Sequence, residues 1–486
     1  VVTAGVIVSL GASAGAEDSD MRSLLKGLQS RVEALEKKIA DQDRTIKRQQ
    51  EMLLQQRSTI DAVSQGAVRQ DEGIKEQAAV LGKQDEKLDG MKCAVDKAAK
   101  GLEIQRVKFA EISDMVPERD KGHPGLSIQG FEFSGGATGV FQGTHNANAA
   151  ARGKKEARNI SATVDIMVFK KFCGWGAAFM HLEAGEGKGV DEDLLVLSPV
   201  NYDADNDTNV RLTELWYETY FLDKKITALA GKIDPSGFYD NCAFANDETR
   251  QFLSGMFRNN PALEFPVDNS VGVLFVTEPF TWLEISGGVF DGNADWNNIT
   301  NNPFSIAQVN FKPKFLGRDG NYRLYIWNND SYHTRLSKAA DELNDPDNPD
   351  LLPWNKDTNW GMGLCFDQYL TDSIGMFARF GNADRRTSIV QYSWSTGFHV
   401  EGKKWGRDND VLGLAIGQLI PGKDYRKAVA ERNGRNEGHF EAYYRFVLNE
   451  FVEFGPDFQI VWNPYGCDAA EHDTISVYGF RAQVNF

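Results

Sequence analysis

Ile475-Ser-Val-Tyr-Gly-Phe-Arg-Ala-Gln-Val-Asn-Phe486 alternates with a period of two: Tyr478, Phe480, Ala482, Val484 and Phe486 fall on one face, and Arg481, Gln483 and Asn485 on the other. Successive side chains of a strand point to opposite sides, so such a segment sets one face against an apolar medium and one against water. Residues 158–168 repeat the pattern, with Ile160, Ala162, Val164, Ile166 and Val168 opposite Ser161, Thr163 and Asp165. Tyr, Trp and Phe at strand ends suit the two membrane interfaces better than the surface of a soluble sandwich.

The composition agrees with a barrel that crosses a membrane. Among 486 residues are 46 Gly, only 15 Pro and 11% aromatics, and no apolar run approaches the ~20 residues a membrane helix needs. A helical membrane bundle is excluded, whereas a barrel whose strands alternate looks hydrophilic on average. Short links near 171–174, 223–225, 278–281, 371–373 and 449–450 alternate with long ones at 144–157, 184–209, 233–270, 329–358 and 418–436. This predicts an all-β transmembrane barrel of about sixteen antiparallel strands over 126–486. Closure removes every lipid-exposed sheet edge, and sixteen strands enclose an aqueous channel rather than a filled core.

Ahead of the barrel the period is seven. Every seventh residue from Leu25 to Val116 is apolar, while the series three residues later carries Gln42, Gln49, Gln56, Gln70, Gln77, Gln84 and Gln105. An unbroken heptad phase predicts a left-handed α-helical coiled coil over 21–116, about 140 Å long at ~1.5 Å per residue. So polar a helix cannot bury its seam alone, and oligomerisation is expected. Residues 117–125 read as a linker. Residues 1–16, apolar and ending in Ala14-Gly15-Ala16, read as the remnant of a secretory signal peptide whose start precedes Val1.

Charge and motifs narrow the function classes. With 53 basic against 69 acidic residues the net charge is −16, which excludes a nucleic-acid partner held by bulk positive charge. The seven His are dispersed, and no G-x-S-x-G and no Gly-rich phosphate loop occurs, so no enzyme, cofactor or metal is expected. Asp203-Ala-Asp-Asn-Asp207 resembles a calcium loop, with Glu214 in its twelfth position, but Thr208 stands where that loop needs Gly. That segment and 344–350 are expected to be solvated external loops. Five scattered Cys make no framework; isolated thiols are expected, and Cys242 with Cys467 is the first pair to test.

Candidate pore-lining or substrate-binding residues are Glu214, Trp216, Glu218, Arg323, Tyr325, Trp327, Arg379, Glu441 and Arg445. Charged side chains bond sugar hydroxyls and aromatic rings take their C–H faces, while opposed acidic and basic walls make a transverse field. The long segment 233–270, between the fifth and sixth strands, is the candidate constriction loop, with Phe244, Asn246, Asp247, Glu248, Arg250 and Asn260.

Thr213-Glu-Leu-Trp-Tyr-Glu218, Ala230-Gly-Lys-Ile-Asp-Pro235, Ala243-Phe-Ala-Asn-Asp-Glu-Thr249 and Asn259-Asn-Pro261 resemble the OprB family of carbohydrate-selective porins. So do Asn321-Tyr-Arg323 with Trp327, Glu441-Ala-Tyr-Tyr-Arg445, Asn463-Pro464 and Arg481-Ala-Gln-Val-Asn-Phe486. The resemblance spans about 126–486 and implies a sixteen-stranded outer-membrane porin, usually a homotrimer, that admits sugars or other small hydrophilic solutes by diffusion. The coiled coil departs from the shorter members. An even strand count puts both barrel termini on the short-turn, periplasmic side, so a periplasmic stalk is expected. Its tip could touch peptidoglycan or another envelope component. The alternative is a structural spacer or tether of the outer membrane with incidental permeability.

Overall fold

The computed structural model describes residues 126–486, apart from 150–155, 173, 223–224, 268, 298–299, 316, 338–356, 429–431 and 470, together with six positions between 26 and 37. Those six, Lys26, Gly27, Ser30, Arg31, Glu33 and Lys37, are helical. The rest of the expected coiled coil, the signal remnant and the linker lie outside the described residues. The chain divides into two units, 1–114 and 115–486, and the second holds the strands.

Sixteen long antiparallel strands follow in order. They are β1 (Phe131–His145), β2 (Arg158–Phe172), β3 (Gly176–Glu186), β4 (Arg211–Phe221), β5 (Ile226–Ile233), β6 (Ser270–Phe280), β7 (Leu283–Asp291) and β8 (Pro303–Phe311). The second half is β9 (Arg318–His333), β10 (Asp357–Thr371), β11 (Ile374–Ala383), β12 (Val390–Gly402), β13 (Arg407–Pro421), β14 (Glu437–Val447), β15 (Val452–Trp462) and β16 (Ile475–Asn485). Each pairs with its neighbour in sequence, and β16 pairs with β1 from Ser476 opposite His145 to Asn485 opposite Gly136. The sheet is therefore closed, as expected, and the ladder supplies every central strand with partners that lipid could not. Two short strands, Leu126–Ile128 and Lys314–Phe315, only fold back on the starts of β1 and β9.

The alternation read from the sequence sets the faces. Ile160, Val164, Ile166, Tyr478, Phe480, Val484 and Phe486 are exposed on the outer surface, whereas Ser161, Thr163, Arg481, Gln483 and Asn485 are buried inside. The short turns on one rim carry Trp175, Trp282 and Trp405. Trp282 stacks between Phe280 and Phe311 at 5.3 and 6.3 Å, and Trp405 donates to the Tyr444 hydroxyl at 2.7 Å. Rings with an apolar body and a polar tip suit a membrane–water interface.

Boundaries differ from the sequence reading in places. The 278–281 link is displaced, because β6 runs through Pro279 to Phe280 and the turn is 281–282. Proline lacks a ladder donor, and the register shifts there between Thr277 and Phe280. On the long-loop rim β9 continues to His333, which pairs with Asp357 past an irregularity, so that loop spans 334–356.

Candidate functional site

The loop 234–269, which joins β5 to β6, is folded into the barrel. Its residues touch inward positions of β10, β11, β12, β14 and β16, which a segment leaving β5 can reach only across the interior. Phe244 sets its ring edge-on to Tyr369 of β10 at 4.9 Å and lies 5.2 Å from the His399 ring of β12. Phe252 meets Tyr443 of β14 at 5.0 Å and Phe377 of β11 at 5.7 Å. Glycines on the inner wall give the loop its room: a Cβ at Gly375 would overlap the Phe244 ring, at Gly381 the Asn260 amide, and at Gly417 the Met256 methyl.

Local chemistry shapes the loop before it meets the wall. Asp234 caps a short turn, accepting from Ser236 N at 2.9 Å, and Ser254 accepts from Met256 N at 3.3 Å to start one helical turn at Gly255–Arg258. Asp247 accepts from Thr249 N and Oγ1 at 2.9 and 2.7 Å. Glu441 of β14 then takes Leu253 N at 2.7 Å and Ser254 N at 3.0 Å. Arg379 of β11 donates to the carbonyls of Asp240 at 3.0 Å and Ala245 at 2.6 Å, and to that of Phe257, while its Nε lies 3.1 Å from the Asp240 carboxylate. These bonds satisfy backbone groups that would otherwise be buried without partners.

A second loop, 187–210 between β3 and β4, folds in from the neighbouring hairpin. Gln142 and Gln459 both donate to the Val200 carbonyl, at 3.3 and 2.8 Å, and Leu197 N donates to Glu437 at 2.9 Å. The two loops join where Tyr202 N donates to Leu253 O at 2.8 Å and Gly255 N to Pro199 O at 3.0 Å. Of 203–207, expected to be a solvated loop, Asn206 is exposed and Asp207 half-buried, but Asp203 is buried, accepting from Thr163 Oγ1 at 3.0 Å, and Asp205 takes Arg211. Burial, with the nearby carboxylates of Glu248 and Asp165, pushes the Asp203 carboxyl well above the usual range, against the Thr163 bond and Arg481. Residues 344–350 lie outside the described residues.

Nine candidates came from the strands, and the structure divides them. Tyr325 and Trp327, like Trp216, are buried in the apolar cluster that includes Phe252 and Phe257 of the loop, and Arg323 and Arg379 are buried on the inner faces of β9 and β11. Arg323 pairs with Asp367, and the Tyr325 ring fills the space over Gly363. Glu441 is fully buried under the loop. Glu214 accepts from Asp234 N at 3.0 Å, Trp216 stacks on Phe179 at 5.1 Å, and Glu218 takes the Tyr220 hydroxyl. Arg445 stands 3.7 Å from Glu453.

Of the loop candidates, Asn246 is held internally by Gln251, Glu248 pairs with Arg258 at 2.8 Å, and Arg250 forms a two-pronged pair with Glu453. Arg481 donates to the Glu248 carbonyl at 2.7 Å. Several charged groups keep partial exposure here, Asp165, His181 and Glu183 at 20, 19 and 25% and Glu248 and Arg250 at 22 and 27%, against 1% for Arg379 and 0% for Asp240. A second exposed set, Lys312 with Glu278 and Glu284, lies at the short-turn ends of β6–β8. His181 lies 2.8 Å from Asp165, and Arg250 of the loop and Arg445 of β14 share Glu453. Asp165, His181, Glu183, Arg211 and Arg258 escaped the sequence reading. The strand alternation that singled out Ser161 and Thr163 already placed Asp165 on the inner face. Among the described residues no cluster of His, Cys, Asp and Glu could hold a metal ion.

The model of the carbohydrate-selective porin, OprB family, matches residues 129–486. The high-pH structure of Pseudomonas putida OprB is similar at 16% identity and a TM-score of 0.62, covering 74% of this chain and 94% of that one, which supports the fold. The outer membrane channel DcaP of Acinetobacter baumannii matches at 11% identity and a TM-score of 0.47, with 74% and 99% covered. No curated protein matches the chain. With the family model spanning nearly the whole barrel, this chain belongs to the OprB family of carbohydrate-selective porins, outer-membrane channels for small solutes.

Proposed function

We propose that the barrel passes sugars and similar small hydrophilic solutes by passive diffusion, along the charged strip between the two infolded loops and the wall of β1–β4 and β14–β16. The observation that carries this is a group of partly exposed charges beside the infolded loop: Asp165, His181 and Glu183 of β2 and β3, with Glu248 and Arg250 of the loop. Carboxylates and guanidinium groups along one passage orient dipolar solutes and offer sugar hydroxyls both acceptors and donors. No bond is made or broken; the protein selects by local concentration and desolvation.

The working unit we propose is a homotrimer in outer-membrane lipid, its heptad segment forming a three-stranded rod in the periplasm whose tip meets peptidoglycan or another envelope component. Single-channel recording in planar bilayers tests the reading: stepwise conductance partly blocked by a neutral oligosaccharide is expected. Conductance blind to every sugar tried would leave a general ion pore. Absent conductance would favour the alternative, a structural spacer or tether of the outer membrane.

A further inference from the structure

Cys242 of the constriction loop and Cys365 of β10 are both buried, at 2 and 0% exposure, in the same apolar cluster. The chains that carry them are fastened on either side of the pair. Cys365 Sγ donates to the Asp240 carbonyl at 3.8 Å, two residues before Cys242, and Ala243 N donates to the Asp367 carboxylate at 3.4 Å, two residues after Cys365. Arg379 holds Asp240 from below through both its carbonyl and its carboxylate. The cysteines are free thiols in the structure. Cys467, the partner first suggested by the sequence, is instead in the loop 463–474, where its Sγ donates to Asn463 Oδ1 at 3.4 Å.

We propose that Cys242 and Cys365 form a redox site, oxidised to a disulfide during assembly so that the constriction loop is stapled covalently to the barrel wall. Exported chains pass through an oxidising compartment, and the pair needs only a protein dithiol–disulfide oxidant. One thiolate attacks one sulfur of the oxidant's disulfide, breaking that bond, releasing the oxidant's other sulfur as a thiolate and forming a mixed disulfide. The second cysteine thiolate then attacks the sulfur of the first, expelling the oxidant sulfur still bound to it as a second thiolate. Two protons pass from the cysteines to the oxidant, which leaves as a dithiol, and two electrons go with them. Burial fixes the timing: the oxidant must act before the barrel closes, and a reductant cannot reach the bond afterwards. The proposal does not depend on which solute is carried.

The test uses the full-length protein from its own outer membrane, denatured in an alkylating agent without reductant and then digested. One peptide pair linked through Cys242 and Cys365, lost on reduction, is expected, with both residues alkylated only once reductant is added. Alkylation of both without reductant, or linkage of either to Cys93, Cys173 or Cys467, overturns the proposal. The double variant Cys242→Ser/Cys365→Ser supplies a second readout. It should insert as a heat-modifiable barrel yet release the loop to protease more readily than the native protein; equal protease resistance would overturn the stapling role.

Discussion

Replacing Arg379 with Met removes the group that ties the constriction loop to β11. Arg379 and Asp240 keep 1 and 0% side-chain exposure, and the guanidinium also serves the carbonyls of Asp240, Ala245 and Phe257. Breaking a buried ion pair by deleting one partner costs roughly 3–5 kcal/mol, because the remaining charge is stranded. At about 1.4 kcal/mol per power of ten, the docked-to-undocked ratio of the loop falls by roughly two to four powers of ten. The barrel itself should survive, since its ladder does not pass through Arg379's side chain, and heat-modifiable mobility on gels checks that. In planar bilayers the variant, made together with Cys242→Ser and Cys365→Ser so that no disulfide holds the loop, should show larger and noisier conductance steps and weaker block by oligosaccharides than the double Cys→Ser protein. Arg379→Lys, a point charge that cannot span three carbonyls, should fall between the two. Conductance, noise and sugar block matching the double Cys→Ser protein in a folded Met variant would refute the view that this arginine positions the loop.

Two further outcomes follow from the terminal strand and the stalk. Phe486 exchanges backbone hydrogen bonds with Gly135 at 2.8 and 2.9 Å and lays its ring over that glycine on the outer face. Deleting it should sharply lower membrane yield in cells while refolding in detergent changes little; normal yield in cells would reduce the residue to the roughly 1.5–3 kcal/mol of one lipid-facing ring. Removing 21–116 should leave a conducting barrel and disturb the spacing of the envelope, and the isolated segment should sediment as a trimer; a dimer would remove support for the three-stranded rod.

The barrel was legible because a closed sheet in lipid makes a demand on every strand separately. Ile160 to Val168 and Tyr478 to Phe486 each had to put apolar side chains outward, and a period of two shows that within one segment. The interior was only half legible. Which inward side chains meet water depends on where two long loops turn, and that is decided by groups far apart in sequence: Glu441 with Leu253, Arg379 with Phe257, Gln459 with Val200. Charged residues such as Arg323 and Arg379 therefore read as solvated pore groups although the structure buries them in ion pairs with Asp367 and Asp240, while Asp165 and His181, equally inward by alternation, keep part of their exposure.

The glycines of the inner wall act as the mould from which the infolded loop takes its place. Gly375, Gly381 and Gly417 sit on β11 and β13, remote in sequence from the side chains that occupy them, and each stands for a volume that Phe244, Asn260 or Met256 fills. Loop and wall are thus two halves of a key and lock, each of which carries only part of the shape. Transplanting 234–269 into another barrel would fail wherever the host bears a Cβ at these positions. Drift in one half calls for matching change in the other, so pores of this kind should diversify by paired exchange, wall with loop, more readily than by editing the loop alone.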